Sequence, residues 1–150
     1  MKNVLVTGGA GFIGSNFINH ILSKRDDYLI INLDKLTYAG NLENLKASEN
    51  NKNYRFIKGD IANSELVNYI FEEFNIKYVV NFAAESHVDR SISGSQIFYT
   101  TNVIGTSVLL EAALKYQVEK FLQISTDEVY GSLNADGLFT ESTPLSPNSP

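Results

Sequence analysis

Thr7-Gly8-Gly9-Ala10-Gly11-Phe12-Ile13-Gly14 is the stretch from which the rest of the chain is read. Val4-Leu5-Val6-Thr7 leads into it, a short apolar run of the kind that forms a buried strand. Phe12 to Ser23 follows, with apolar residues at helical spacing. The glycines thus fill the turn between a strand and a helix. Gly9, Gly11 and Gly14 fit G-x-G-x-x-G, while Gly8, Gly11 and Gly14 fit G-x-x-G-x-x-G. Glycines here permit a tight bend, close approach of a pyrophosphate, and close packing of helix on strand. The helix N-terminus then offers unpaired N–H groups to the phosphates. A glycine-rich turn with no ligand would show the same letters. The strand-turn-helix setting favours the binding reading.

Further along, apolar runs and helical patterns alternate. Tyr28 to Leu33 is a second strand ending at Asp34, 20 residues after Gly14. A carboxylate there accepts hydrogen bonds from the adenine ribose and repels a 2′-phosphate, which favours NAD over NADP. Lys35 to Asn53 is a polar loop with one short helical stretch. Tyr54 to Lys58 is the third strand, Glu65 to Phe74 a helix, and Tyr78 to Phe82 the fourth strand. Ile97 to Tyr116 reads as one long helix, with Val103, Ser107, Leu110 and Leu114 near helical spacing, and Lys120 to Ser125 is the fifth strand. Strands apolar throughout and separated by helices imply a parallel sheet covered on both faces. The expected fold is α/β, a doubly wound parallel sheet of Rossmann type, truncated after about the fifth strand. Asp60-Ile61 ends the third strand, where ligands collect in such sheets. Asp60 has two readings: an acceptor for the adenine amino group, or a cap for the next helix. The cap role suits Asn63 or Ser64 better.

Composition narrows the partners. The net charge of −5 argues against nucleic acid, which recruits basic surfaces. No run of Lys and Arg points to an anionic membrane. The absence of cysteine excludes disulfides and thiolate metal sites, and no metal is expected. Between Met1-Lys2-Asn3 and the glycines lie only four residues, Val4 to Thr7, too few for a signal-peptide core or a membrane span, so a cytoplasmic protein is expected.

Four further stretches resemble the dTDP-glucose 4,6-dehydratase family of extended short-chain dehydrogenases. They are Asp34-Lys35-Leu36-Thr37-Tyr38-Ala39-Gly40-Asn41, Ala83-Ala84-Glu85-Ser86-His87-Val88-Asp89-Arg90-Ser91, Thr101-Asn102-Val103-Ile104-Gly105-Thr106, and Ile124-Ser125-Thr126-Asp127-Glu128-Val129-Tyr130-Gly131. The resemblance runs the whole length of the chain. The triplet Thr126-Asp127-Glu128 discriminates most: related 4-epimerases lack the acidic pair, and GDP-mannose dehydratases carry Ser at the Asp position. The resemblance implies NAD as cofactor. It assigns Gly8, Gly11, Phe12, Ile13 and Gly14 to the pyrophosphate turn. Asp34, Lys35, Leu36, Thr37, Asp60 and Ile61 fall to the adenosine side, and Phe82, Ala83, Ala84, Ser86 and Thr101 to the nicotinamide side. Ser86, His87 and Thr126 are assigned to the nucleotide-sugar substrate.

The implied reaction oxidises C4 of the sugar, removes water across C5 and C6, and returns the hydride to C6. The C4 ketone acidifies the C5 proton, and Glu128 matches the family's base. The C6 hydroxyl leaves only when protonated, and Asp127 matches the family's acid. Thr126 matches the residue that hydrogen-bonds the 4-hydroxyl. An acid and a base on adjacent residues need surroundings that keep one protonated and the other ionised. An Asp-Glu pair in a loop is otherwise a solvated turn, and it is the flanking residues that favour catalysis. His87 and Arg90 read either as structural loop residues or as substrate contacts. His20 reads as packing or surface.

The family's hydride step uses a Tyr-x-x-x-Lys pair on a helix. Tyr54–Lys58 lies on a strand, where four residues span roughly 13 Å, and Tyr116–Lys120 joins a helix end to the start of a strand. Neither fits. Thr140 to Pro150 holds three prolines and three serines and reads as a loop. In the family, residues like Ser146-Pro147-Asn148-Ser149-Pro150 precede the Tyr-x-x-x-Lys helix. The expectation is an incomplete NAD-binding domain over 1–150, with the C-terminal substrate domain absent. Such a chain would bind NAD without turnover and leave apolar surface uncovered beside Ile97 to Tyr116. Family members dimerise through that region, so a homodimer is expected at full length. The alternatives are another nucleotide-sugar dehydratase or epimerase, or a non-catalytic NAD-binding module.

Overall fold

The computed structural model describes residues 1–133 and 137–148. Its strands are β1 (Lys2–Thr7), β2 (Tyr28–Asp34), β3 (Tyr54–Lys58), β4 (Tyr78–Asn81) and β5 (Lys120–Gln123). They form one parallel sheet in the order β3-β2-β1-β4-β5. The order reverses between β1 and β4, and crevices at such a reversal open at the carboxyl ends of the strands. The helices are α1 (Phe12–Lys24), α2 (Ser64–Glu73), α3 (Val88–Ser93) and α4 (Gln96–Lys115). Single 3₁₀ turns occupy Leu42–Leu45 and Asp127–Tyr130.

Strand alternation divides the core between the two faces. Val4, Val6, Ile30 and Val80 pack with Ile18 of α1 and with Leu45 and Tyr54. Leu5, Ile31, Leu33 and Val79 pack on the opposite face with Val67, Ile70 and Phe71 of α2 and with Leu109, Ala112 and Ala113 of α4. Consecutive residues on one strand thus serve different layers, which explains why β1 and β2 carry unbroken apolar runs, Val4-Leu5-Val6 and Leu29-Ile30-Ile31, rather than alternating. Asn63 caps α2, its Oδ1 accepting from the Leu66 N–H at 3.1 Å.

Two features depart from the sequence reading, and a third refines it. The long helix is not uniform: Tyr99–Gly105 winds as a π-helix inside α4. Val88–Ser93, read as loop, is a short helix with His87 at its N-cap. The row Val103, Ser107, Leu110 and Leu114 marks a helix, yet it is the exposed side; the buried side is Gly105, Leu109, Ala112 and Ala113. Tyr99, Val103, Leu110 and Leu114 leave an apolar strip open to solvent. By length and composition α4 is apolar enough to cross a membrane, but its inner face packs into the core against α2, as a core helix does.

Thr140–Leu145 makes a turn in which the Thr143 N–H donates to the Thr140 carbonyl. The segment then returns to the end of the fold: the Ser146 N–H donates to the Val129 carbonyl at 2.9 Å, and the Phe139 ring stacks on Tyr130 with centroids 5.0 Å apart. Ser149 and Pro150 lie outside the described residues.

Candidate functional site

A cleft of about 340 Å3 opens at the carboxyl ends of β1, β2, β3 and β4. Its floor is the glycine turn. Gly8 takes φ +67°, and a Cβ there would sit 2.6 Å from the Ala83 nitrogen, so only glycine lets β1 and β4 approach this closely. A Cβ on Gly14 would meet the Gly8 carbonyl oxygen at 2.4 Å. Gly9 instead packs away from the cleft, against Asn32 and Ile18. The spacing that lines the cleft is therefore Gly8, Gly11 and Gly14. Gly11 is the N-cap of α1 and supplies no side-chain cap, and the first turn carries no acidic residue. The first intrahelical N–H to be paired is that of Ser15, which donates to the Gly11 carbonyl. The amides of Phe12, Ile13 and Gly14 belong to the unpaired set at a helix start and face a cleft suited to an anion.

Asp34 ends β2 and is buried. Its Oδ2 accepts the Ala10 N–H at 2.8 Å and its Oδ1 the Leu36 N–H at 2.7 Å. One carboxylate thus ties the glycine turn to the loop after β2. A carboxylate offers about four lone-pair sites, so room remains for ligand hydroxyls. Across the cleft floor Lys35 Nζ lies 2.6 Å from Asp60 Oδ2, and Asp60 Oδ1 accepts the Ala62 N–H at 2.9 Å. Burial raises the Asp60 carboxyl, but the Lys35 hydrogen bond and the Ala62 amide outweigh it and hold the group below the usual carboxylate range.

The far wall is fixed by hydrogen bonds at the strand ends. The Thr7 hydroxyl donates to Asn81 Oδ1 and accepts the Ala83 N–H at 3.3 Å, while Asn81 Nδ2 donates to Gln123 Oε1 at 2.8 Å. Asn102, within the π-helix, holds the next residues from both sides. Its Oδ1 accepts the Glu85 N–H at 2.8 Å and its Nδ2 donates to the Glu85 carbonyl at 2.9 Å. π-bulges recur at functional sites, and this one brings Thr101 to the cleft.

Of the residues assigned to the cofactor from sequence, Gly8, Gly11, Phe12, Ile13 and Gly14 line this cleft, as do Asp34, Lys35, Thr37, Asp60 and Ile61. Phe82, Ala83, Ala84, Ser86 and Thr101 complete the wall. Leu36 does not line it: its amide serves Asp34, and its side chain packs on the core beside β2. Leu33 and Gly59 line the cleft without having been singled out, and Ala39, Gly40, Glu85 and Ile124 line it from within the stretches quoted for the resemblance. His87, Thr126, Asp127 and Glu128 fall outside the lining. Thr126 begins the last 3₁₀ turn two residues beyond Ile124, and its Oγ1 accepts the Glu128 N–H at 3.3 Å. Asp127 and Glu128 are exposed, so the described residues do not supply the separate surroundings that an acid and a base would need. His20 is on the surface. Among the described residues no three of His, Asp and Glu converge as a metal site would require.

Residues 5–150 match the family model described as GDP-mannose 4,6 dehydratase. The chain is 54% identical over 148 residues to the low-salt glycan biosynthesis protein Agl12 of Haloferax volcanii, covering 99% of this chain and 46% of that protein. It is 50% identical over its full length to a dTDP-glucose 4,6-dehydratase of Xanthomonas campestris pv. campestris, 45% of which it covers. Among solved structures, dTDP-glucose 4,6-dehydratase from Bacillus anthracis in complex with NAD superposes with a TM-score of 0.90 at 53% identity, over 100% of this chain and 46% of that one. The chain therefore spans less than half the length of these relatives.

Proposed function

The chain belongs to the GDP-mannose 4,6 dehydratase family, and from that membership we propose that it holds NAD in this cleft as part of an enzyme that dehydrates dTDP-glucose to its 4-keto-6-deoxy product. One observation carries the reading: the Gly8-Gly11-Gly14 cradle under the start of α1, with buried Asp34 at the end of β2. The cradle has no room for a Cβ at Gly8 or Gly14 and no side-chain cap of its own, which fits a pyrophosphate seated on backbone amides. Asp34 keeps lone pairs for the adenine ribose, and Asp60 is the acceptor proposed for the adenine amino group. Ser86 and Thr101 stand on the nicotinamide side. NAD, when bound, takes a hydride from the sugar and gives it back.

The remaining chemistry is assigned to the turn after β5. Thr126 hydrogen-bonds the 4-hydroxyl, Glu128 removes the C5 proton, and Asp127 protonates the departing C6 hydroxyl. Because both carboxylates are exposed, bound substrate must supply the desolvation that keeps acid and base distinct. Ser86 and His87 are the further substrate contacts proposed. Residues 1–150 are proposed as the NAD-binding domain of a longer cytoplasmic homodimer. Alone, these residues are proposed to bind NAD without turnover, because Tyr54 and Lys58 lie on β3 while Tyr116 is the C-cap of α4 and Lys120 starts β5. That same placement favours one second reading, a non-catalytic NAD-binding module. Replacing Asp127→Asn and Glu128→Gln together in a full-length form tests the assignment. Hydride abstraction that persists while water elimination is lost supports it; both steps surviving unchanged refutes it.

A further inference from the structure

We propose that Tyr38 and Arg90 form a bridge that retains the dinucleotide in the cleft, a role resting on the NAD reading above. The Arg90 guanidinium lies over the Tyr38 ring, its central carbon 3.8 Å from the ring centroid. Guanidinium groups bind aromatic faces by charge–quadrupole attraction and by planar stacking. Among the described residues Arg90 has no carboxylate partner, since the ion pairs are Arg25–Asp27, Lys35–Asp60 and Lys46–Glu43. The ring is what holds it.

The two partners come from opposite walls. Tyr38 sits between Thr37 and Ala39, which line the β2 side of the cleft. Arg90 is on α3, which starts directly after the lining residues Ala83 to Ser86 of the β4 side. The root of each wall is pinned. The Leu36 N–H is held by Asp34, the Asn41 N–H donates to the Ala10 carbonyl at 3.0 Å, and Glu85 is held at both backbone groups by Asn102. Tyr38 lies in the turn closed by the Gly40 N–H on the Thr37 carbonyl, Arg90 lies in α3, and both side chains are exposed. Neither residue lines the cleft itself; their contact joins the loop after β2 to α3 beside it, and breaking that contact requires movement of two surface side chains rather than of the fold. A cofactor that takes a hydride and returns it need not leave between turnovers, so a bridge that slows its release suits the proposed reaction.

The test is the rate of NAD release from this chain, followed in a stopped-flow displacement experiment. Tyr38→Ala and Arg90→Gln should each speed release about 2- to 5-fold, the equivalent of one exposed cation–π contact. The double variant should release no faster than either single one, and Tyr38→Phe, which keeps a ring face, should stay near the native rate. Native release rates in both single variants, or effects that multiply in the double variant, overturn the bridge. Failure of the native chain to bind NAD overturns the NAD reading and the bridge together, whereas binding with unchanged release overturns the bridge alone.

Discussion

Asp34→Asn is the most informative single change, because one buried carboxylate has both a structural and a binding task. Its two oxygens accept the amides of Ala10 and Leu36 at 2.8 and 2.7 Å. The substituted amide group keeps one acceptor oxygen, and its NH2 must then face a backbone N–H. One charge-assisted hydrogen bond is lost and two donors oppose each other in a buried place. Hydrogen bonds to charged groups contribute about 1.5–3 kcal/mol, so the folded state should lose about that much. With a urea slope of about 1–3 kcal/mol per molar for small domains, the unfolding midpoint should fall by about 1 M. Urea melts of both proteins at pH 7, followed by circular dichroism, read this directly. NAD titration of the same samples should show weaker binding and less discrimination against a 2′-phosphate. An unchanged midpoint with unchanged NAD affinity would refute the assignment of Asp34 as the tie between glycine turn and cleft.

Gly14→Ala places a Cβ 2.4 Å from the Gly8 carbonyl oxygen. The overlap should cost about 1–3 kcal/mol and weaken NAD binding, to be checked by thermal melts and titration; an alanine variant as stable and as tight as the native chain would contradict the packing described. Asp60 is held below the ordinary carboxylate range, so its contribution is present above about pH 4 and is lost as pH falls through the lower folded value. Acid-titrated stability curves should therefore show a deficit for Asp60→Asn at neutral pH that shrinks in acid, and a constant deficit would count against the Lys35 pair. Leu109→Ala removes a fully buried side chain between α4 and the sheet, for a loss of about 2–5 kcal/mol in chemical denaturation; a loss under about 0.5 kcal/mol would mean that α4 does not seal that layer.

The parts legible in the sequence are those set by short-range pattern. β3 has the bounds Tyr54–Lys58 that its run around Tyr54, Phe56 and Ile57 implies, and the glycine turn stands where strand and helix periodicities meet. Less legible were features fixed by contacts distant along the chain. The choice of Gly8 over Gly9 as the first cleft glycine depends on Ala83 closing above one and Asn32 lying beneath the other. The π-helix has no motif of its own, and its Asn102 clamps the Glu85 backbone 17 residues away in sequence. Six-residue α3 is too short to show a period, and His87 offers no side-chain cap to announce it. Gly59 and Ile124 reach the cleft only because the ends of β3 and β5 converge on it. In α4 the buried side mixes large and small residues, Phe98 and Leu109 with Gly105, Ala112 and Ala113, while Val103, Leu110 and Leu114 stay exposed, so residue size does not reveal which side faces inward.

The central claim is that the cleft over Gly8, Gly11 and Gly14 holds NAD. Isothermal titration of the chain with NAD, and separately with NADP, tests it most directly. Saturable binding of NAD at one site per chain is expected, with weaker binding of NADP and a weakened NAD signal in Gly14→Ala. Absence of NAD binding by the folded native chain, or a preference for NADP, would contradict it.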